Sequence, residues 1–127
     1  MSGARPGGLG PWRLQIAQQA LHPELPAGTA ILAAARACGI SRVHFSRMFK
    51  ASMGMSPRRW HLQRRVLHAQ RLLETTSASL TDIASQCGFC DQSHFTRVFR
   101  RVCHAPPGMW RKAASERLFP THLEETA

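Results

Sequence analysis

Acidic residues are scarce in this sequence: seven Asp and Glu stand against seventeen Lys and Arg, and none falls between Glu24 and Glu74. Lysine is scarcer still, because all of those seventeen cations except Lys50 and Lys112 are arginine. The formal charge is +10, and no carboxylate interrupts the basic stretch from Arg36 to Arg71. A field of one sign attracts a polyanion, and the planar donor fork of arginine pairs bidentately with phosphates and guanine edges. Composition therefore favours nucleic acid as the partner over a merely solvated basic face.

Other absences close off other classes. No apolar run approaches the roughly eighteen residues of a membrane helix, and the opening MSGARPGGLGP has no apolar segment for a signal peptide. The expectation is a cytoplasmic protein with no membrane partner, in which Cys38, Cys87, Cys90 and Cys103 stay reduced. Nothing supplies a nucleophile with its base and orienting acid, paired carboxylates or a phosphate-cradling loop, so neither an enzyme nor a cofactor is expected. Cys87-x2-Cys90, with His94, Cys103 and His104 nearby, invites a zinc site and a zinc-dependent interaction module. Against that reading there is no second C-x2-C, and Cys87 repeats Cys38 as the last residue before a helix-ending glycine, a packing role. No metal ligand is assigned.

What the sequence does contain is a duplication. Fifty residues apart, His44, Phe45, Ser46, Arg47, Phe49, Lys50, Pro57 and Trp60 meet His94, Phe95, Thr96, Arg97, Phe99, Arg100, Pro107 and Trp110. Upstream, at an offset of forty-nine, Ala35, Cys38, Gly39 and Ile40 meet Ala84, Cys87, Gly88 and Phe89. Two copies are too few for a solenoid, so one supersecondary unit is used twice.

The elements follow from periodicity and punctuation. Residues 1–10 read as a flexible arm, and Trp12, Ile16, Ala17, Ala20 and Leu21 as the apolar face of a first helix ended by His22-Pro23. An Ala-rich helix from Thr29 to Cys38 stops at Gly39. Ser41 caps a helix whose inward side is Phe45, Met48 and Phe49 and whose outward stripe is Val43, Ser46, Arg47 and Lys50. That is a helix-turn-helix over about 29–53. Pro57 opens a linker helix over about 57–75, roughly 28 Å long at 1.5 Å per residue. A second helix-turn-helix spans about 79–103, opening on Ser79 and Asp82 in a capping-box spacing, with Ser93, Thr96, Arg97 and Arg100 outward. Pro107 starts a last helix, and the domain over 11–114 gives way to a polar tail, 115–127. The fold expected is all-α with about seven helices: two tandem helix-turn-helix units joined by a long central helix. Trp60 and Trp110 are read as core anchors, and His44 and His94 as flanking the outward helices.

From Trp12 to Arg111 the chain resembles the DNA-binding domain of AraC/XylS-type bacterial transcription regulators. The run IA-x3-GF-x4-HF-x3-F-x7-P stands here as Ile83-Ala84, Gly88-Phe89, His94-Phe95, Phe99 and Pro107, and R-x3-A-x2-LL as Arg65, Ala69, Leu72 and Leu73. The resemblance implies a sequence-specific regulator of transcription that reads two adjacent major-groove segments of double-stranded DNA. By position it assigns base reading to Arg42, Val43, Ser46 and Arg47 in the first unit and to Gln92, Ser93, Thr96 and Arg97 in the second. Lys50 and Arg100 extend those stripes, and Arg58, Arg59, Arg64, Arg65 and Arg101 are available to phosphates. Two reading helices in one chain need no dimer, so a monomer on DNA is expected, with RNA polymerase as a further candidate partner. Many members carry an amino-terminal effector domain; about ten residues precede the first helix here, as in a short stand-alone member or an isolated C-terminal domain. A departure from the pattern is His104, which stands where the first unit has Gly54. The rival, a basic RNA-binding protein, fits less well, because the aromatics fall on inward stripes and A-form RNA excludes a helix from its major groove.

Overall fold

A computed structural model describes residues 7–118; parts of the amino-terminal arm and of the polar tail lie outside the described residues. Among the described residues all regular structure is helical, in the order α1 (Pro11–Ala20), α2 (Ala27–Cys38), α3 (Arg42–Met53), α4 (Pro57–Thr75), α5 (Leu80–Gln86), α6 (Gln92–Cys103) and α7 (Pro107–Leu118). The chain forms two compact units, one reaching Arg65 and the other starting at Val66, so each takes half of α4. No described helix is long and apolar enough to cross a membrane.

In the first unit, small residues of α2 let α1 approach closely: Ala17, Ala30, Ala34 and Ala35 are buried, with Leu21 and Ile31 between them. Phe45 and Phe49 close this core from α3, and Trp60 of α4 meets Phe49 edge-on at 5.8 Å. Each fully buried phenylalanine contributes about 1.5–3 kcal/mol by removal from water. Leu9, read from sequence as part of the arm, is 1 % exposed, and its N–H donates to the Ser52 hydroxyl at 2.8 Å. Trp12, read as part of the buried face of α1, is instead 63 % exposed. Ala17 and Leu21 already fill the seam with α2, and the Arg13 guanidinium lies 5.8 Å from the indole centroid.

The second unit rebuilds the same interior. Phe95 and Phe99 stand 5.6 Å apart, as do Phe45 and Phe49, and Trp110 meets Phe99 at the 5.8 Å that separates Trp60 from Phe49. The turns repeat too. Gly39 (φ 72°) and Gly88 (φ 82°) take the left-handed conformation, and the following N–H groups, of Ile40 and Phe89, reach back to the carbonyls of Ala35 and Ala84. Ser41 accepts from the His44 N–H at 3.1 Å, and Asp91 from the His94 N–H at 2.8 Å, each satisfying an orphan donor of its helix. At the far ends, Gly54 (φ 78°) and His104 (φ 63°) are both left-handed; His104 is the one such non-glycine residue among the described residues.

Candidate nucleic-acid interface

In the first unit the inward residues of α3 are spent on the core, and the opposite face meets solvent. Arg42, Arg47 and Lys50 are exposed, Val43 is 71 % exposed and Ser46 is half-buried. Arg42, Val43 and Ser46 line a shallow concavity of about 560 Å³ together with Gly28 of α2 and Pro57 and Arg58 of α4. Two helix amino termini, those of α2 and α4, therefore border this face. Neither has an acid in its first turn, and α4 carries Arg58 and Arg59 there, both exposed. Ser56 caps α4 by accepting from the Arg59 N–H at 3.2 Å. Cations at the positive end of a helix dipole repel it, and a phosphate relieves that repulsion while accepting the unsatisfied N–H groups.

In the second unit Gln92, Ser93, Thr96, Arg97 and Arg100, all from α6, line a concavity of about 620 Å³. Asp91 fixes the start of α6, and the Cys90 N–H donates to His94 Nδ1 at 3.2 Å, tying the turn to the helix it feeds. The Thr81 hydroxyl donates to Gln92 Oε1 at 2.9 Å. This bond was not legible in the sequence, since eleven residues conceal that α5 sets the Thr81 side chain beside the first residue of α6. The bond orients the Gln92 carboxamide, whose two ends together match adenine.

Of the residues assigned to phosphates, Arg58, Arg59, Arg64 and Arg101 are exposed, and Arg64 stacks at 5.4 Å over the Trp60 ring. Arg65 corrects the sequence reading. It is 8 % exposed, and its Nη2 donates to the Leu25 carbonyl at 3.1 Å, so it ties α4 to the α1–α2 connection instead of meeting solvent. His61, one turn before, is 1 % exposed and donates from Nε2 to the His22 carbonyl at 2.9 Å. Burial, reinforced by Arg65 and Arg58, lowers its pKa and keeps it neutral, while the hydrogen bonds to His22 and Leu25 oppose the shift.

No disulfide links the four cysteines. Burial raises the thiol pKa of Cys38, whose Sγ donates to the Arg13 carbonyl at 3.6 Å, and that of Cys103, which accepts from Gln70 at 3.1 Å. Both are packing residues. Among the described residues, no group of three or more His, Cys, Asp or Glu is placed to hold a metal ion.

Two helix pairs, each with a left-handed turn and a second helix that turns a basic face outward, define a tandem helix-turn-helix domain. The chain belongs to the AraC-type family of these domains: it matches the family described as "Helix-turn-helix domain" over residues 34–113. It is similar in structure to a transcriptional regulator with an AraC-type DNA-binding domain from Chromobacterium violaceum, with a TM-score of 0.72 and 27 % identity over 82 % of this chain and 93 % of that one. The DNA-binding domain of AdpA, solved in complex with a target DNA, is 32 % identical with a TM-score of 0.69, over 86 % of this chain and 96 % of that one. The HTH-type transcriptional regulator ExsA of Pseudomonas aeruginosa is 37 % identical over 81 residues, 64 % of this chain and 29 % of its own. The virulence regulon transcriptional activator VirF of Yersinia enterocolitica is 39 % identical over 77 residues, 61 % of this chain and 28 % of its own. The chain thus spans under a third of the length of these two relatives.

Proposed function

We propose that this chain is a sequence-specific, double-stranded DNA-binding regulator of transcription that acts in the cytoplasm through binding alone, without a reaction of its own. The observation that carries the reading is the paired exposure of α3 and α6: each buries its aromatic side and presents arginine and hydroxyl groups beside a shallow concavity, with Val43 added on α3 and the Gln92 amide on α6. A B-DNA major groove admits a helix and offers phosphates at its walls and donor, acceptor and methyl groups at its floor. The family membership and the DNA-bound AdpA domain support the same partner.

Arg42, Val43, Ser46, Arg47 and Lys50 read one half of the site, and Gln92, Ser93, Thr96, Arg97 and Arg100 read the other. Arg58, Arg59, Arg64 and Arg101 hold phosphates. Because Arg42 pairs with Gln92 and Val43 with Ser93 across the duplication, the halves differ in chemistry and the site is asymmetric, bound by a monomer. RNA polymerase is the further partner, in line with VirF being named a transcriptional activator.

Site selection from random duplexes tests the proposal. An asymmetric site with two halves should emerge, and inserting about 5 bp between them should abolish binding, since half a turn carries one groove to the far side. Arg47→Ala should relax base preference in one half and Arg97→Ala in the other, each costing about 1–3 kcal/mol for a bidentate base contact. Selection of a palindrome by an obligate dimer, or unchanged binding after the insertion, would refute the two-half reading.

A further inference from the structure

We infer that Val43 reads the C5-methyl group of a pyrimidine in the first half of the site, a methyl-specific contact that the second unit lacks at its matched position. The inference rests on the DNA-binding reading above and adds the chemical group recognised.

Val43 lies on the outward stripe of α3 and is 71 % exposed, so the core does not explain an apolar residue there. Helix propensity does not explain it either, because a β-branched side chain is a poorer helix former than the arginines around it. Its neighbours are polar: Arg42 precedes it, and Ser46 follows one turn on. Val43 and Ser46 line the first concavity beside Ile31, which is buried to 6 % exposure, giving the reading face an apolar floor. In the second unit the concavity is lined by Gln92, Ser93, Thr96, Arg97 and Arg100, and the residue matching Val43 is Ser93, a hydroxyl.

A polyanion drawn to the basic face presents phosphates and polar base edges, none of which valine can engage. Within the major groove the one apolar group on the natural bases is the C5-methyl of thymine. A branched side chain of two methyls, stiff at χ1 and held on a helix that the core fixes from behind, is shaped to cover it. The same methyl occurs on 5-methylcytosine, where the hydrogen-bonding edge differs. Val43 recognises the methyl and not the edge, so the preference carries over to that base.

The test uses the full chain and its selected duplex, with Kd measured by fluorescence anisotropy. Thymines are replaced singly by deoxyuridine, which removes the methyl and nothing else. One thymine in the first half should lose about fourfold in affinity, the effect of burying one methyl group. At that position 5-methylcytosine should bind about fourfold better than cytosine, which separates methyl reading from thymine hydrogen bonding. In Val43→Ser, which copies the second unit at a solvent-exposed position, both ratios should fall to about one. The inference is overturned if no first-half thymine responds to deoxyuridine, if 5-methylcytosine gives no gain over cytosine, or if Val43→Ser keeps the methyl dependence. Failure to select any site from random duplexes would instead overturn the DNA-binding reading beneath it.

Discussion

Replacing His104 with glycine should stabilise the second unit, because the position is left-handed and little else holds the imidazole there. His104 sits at φ 63°, ψ 22°, the C-cap of α6, and is exposed. Left-handed backbone costs an L-residue roughly 1–2 kcal/mol, with histidine among the more tolerant types. Glycine removes that strain but adds back about 0.5–1 kcal/mol of unfolded-state entropy. The balance is a gain of a few tenths to about 1 kcal/mol. The cap itself survives, since the bond from the His104 N–H to the Arg100 carbonyl at 2.8 Å is main-chain and matches that from Gly54 to Lys50 at 2.8 Å. For a domain this small, such a gain raises Tm by roughly 2–6 °C. Thermal melting followed by circular dichroism reads the shift, and slower hydrogen exchange of the α6 amides assigns it to the second unit. The converse change, Gly54→His, should lower Tm. A His104→Gly protein that melts at or below the parent temperature would show that the imidazole holds a specific partner, and the strain reasoning would be wrong.

Binding should weaken steeply with salt. With Arg65 withdrawn into the first unit, Arg58, Arg59, Arg64 and Arg101 together with the reading-helix cations leave about 5–7 phosphate contacts, and −0.9 per phosphate gives a log–log slope of about −4.5 to −6.3. A measured slope shallower than about −2 would remove the electrostatic basis of the interface. Acid should destabilise the first unit through His61: its folded pKa lies below the ordinary 6.5, so the unfolded chain takes up the proton first. Stability from this group is therefore complete above about pH 6.5 and is lost as pH falls toward the folded value. Denaturant melts across pH 7 to 5 should show the decline, and His61→Gln, which keeps a donor for the His22 carbonyl but cannot titrate, should flatten it; an unchanged decline would place the acid sensitivity elsewhere.

Much of this was legible in the sequence because the determinants are local. Ser41, Ser79, Gly39, Gly54 and Pro57 act within one turn of their own positions, and the turn chemistry that fixes them is written beside them. The spacing of Phe45, Phe49, Phe95 and Phe99 likewise fixes which face of each reading helix is buried and so which face remains to read. The features that escaped are settled by tertiary contacts. Arg65 looks like its neighbours Arg58, Arg59 and Arg64, yet the helical turn points it at the Leu25 carbonyl, forty residues away. Trp12 fits an apolar period, but alanines let α1 and α2 approach until no room for an indole remains between them. The Thr81 bond to Gln92 depends on how α5 meets α6, which no pattern within either helix encodes.

The equal ring spacings of the two units, 5.6 Å between phenylalanines and 5.8 Å to the tryptophan, have a practical corollary. Ring spacings repeated behind two unlike exteriors, with only the tilt between the phenylalanines differing, 43° in the first unit and 73° in the second, act as a common socket whose outer side is exchangeable. Under the proposed reading of DNA by α3 and α6, the outward residues of α6 written onto α3 would leave Phe45, Phe49 and Trp60 undisturbed and change the sequence preferred without touching what keeps the unit folded. Reprogramming one half of the protein is then a problem of a few surface positions, and the second unit, with its own cap and its own aromatic trio, is the worked example already carried in the same chain.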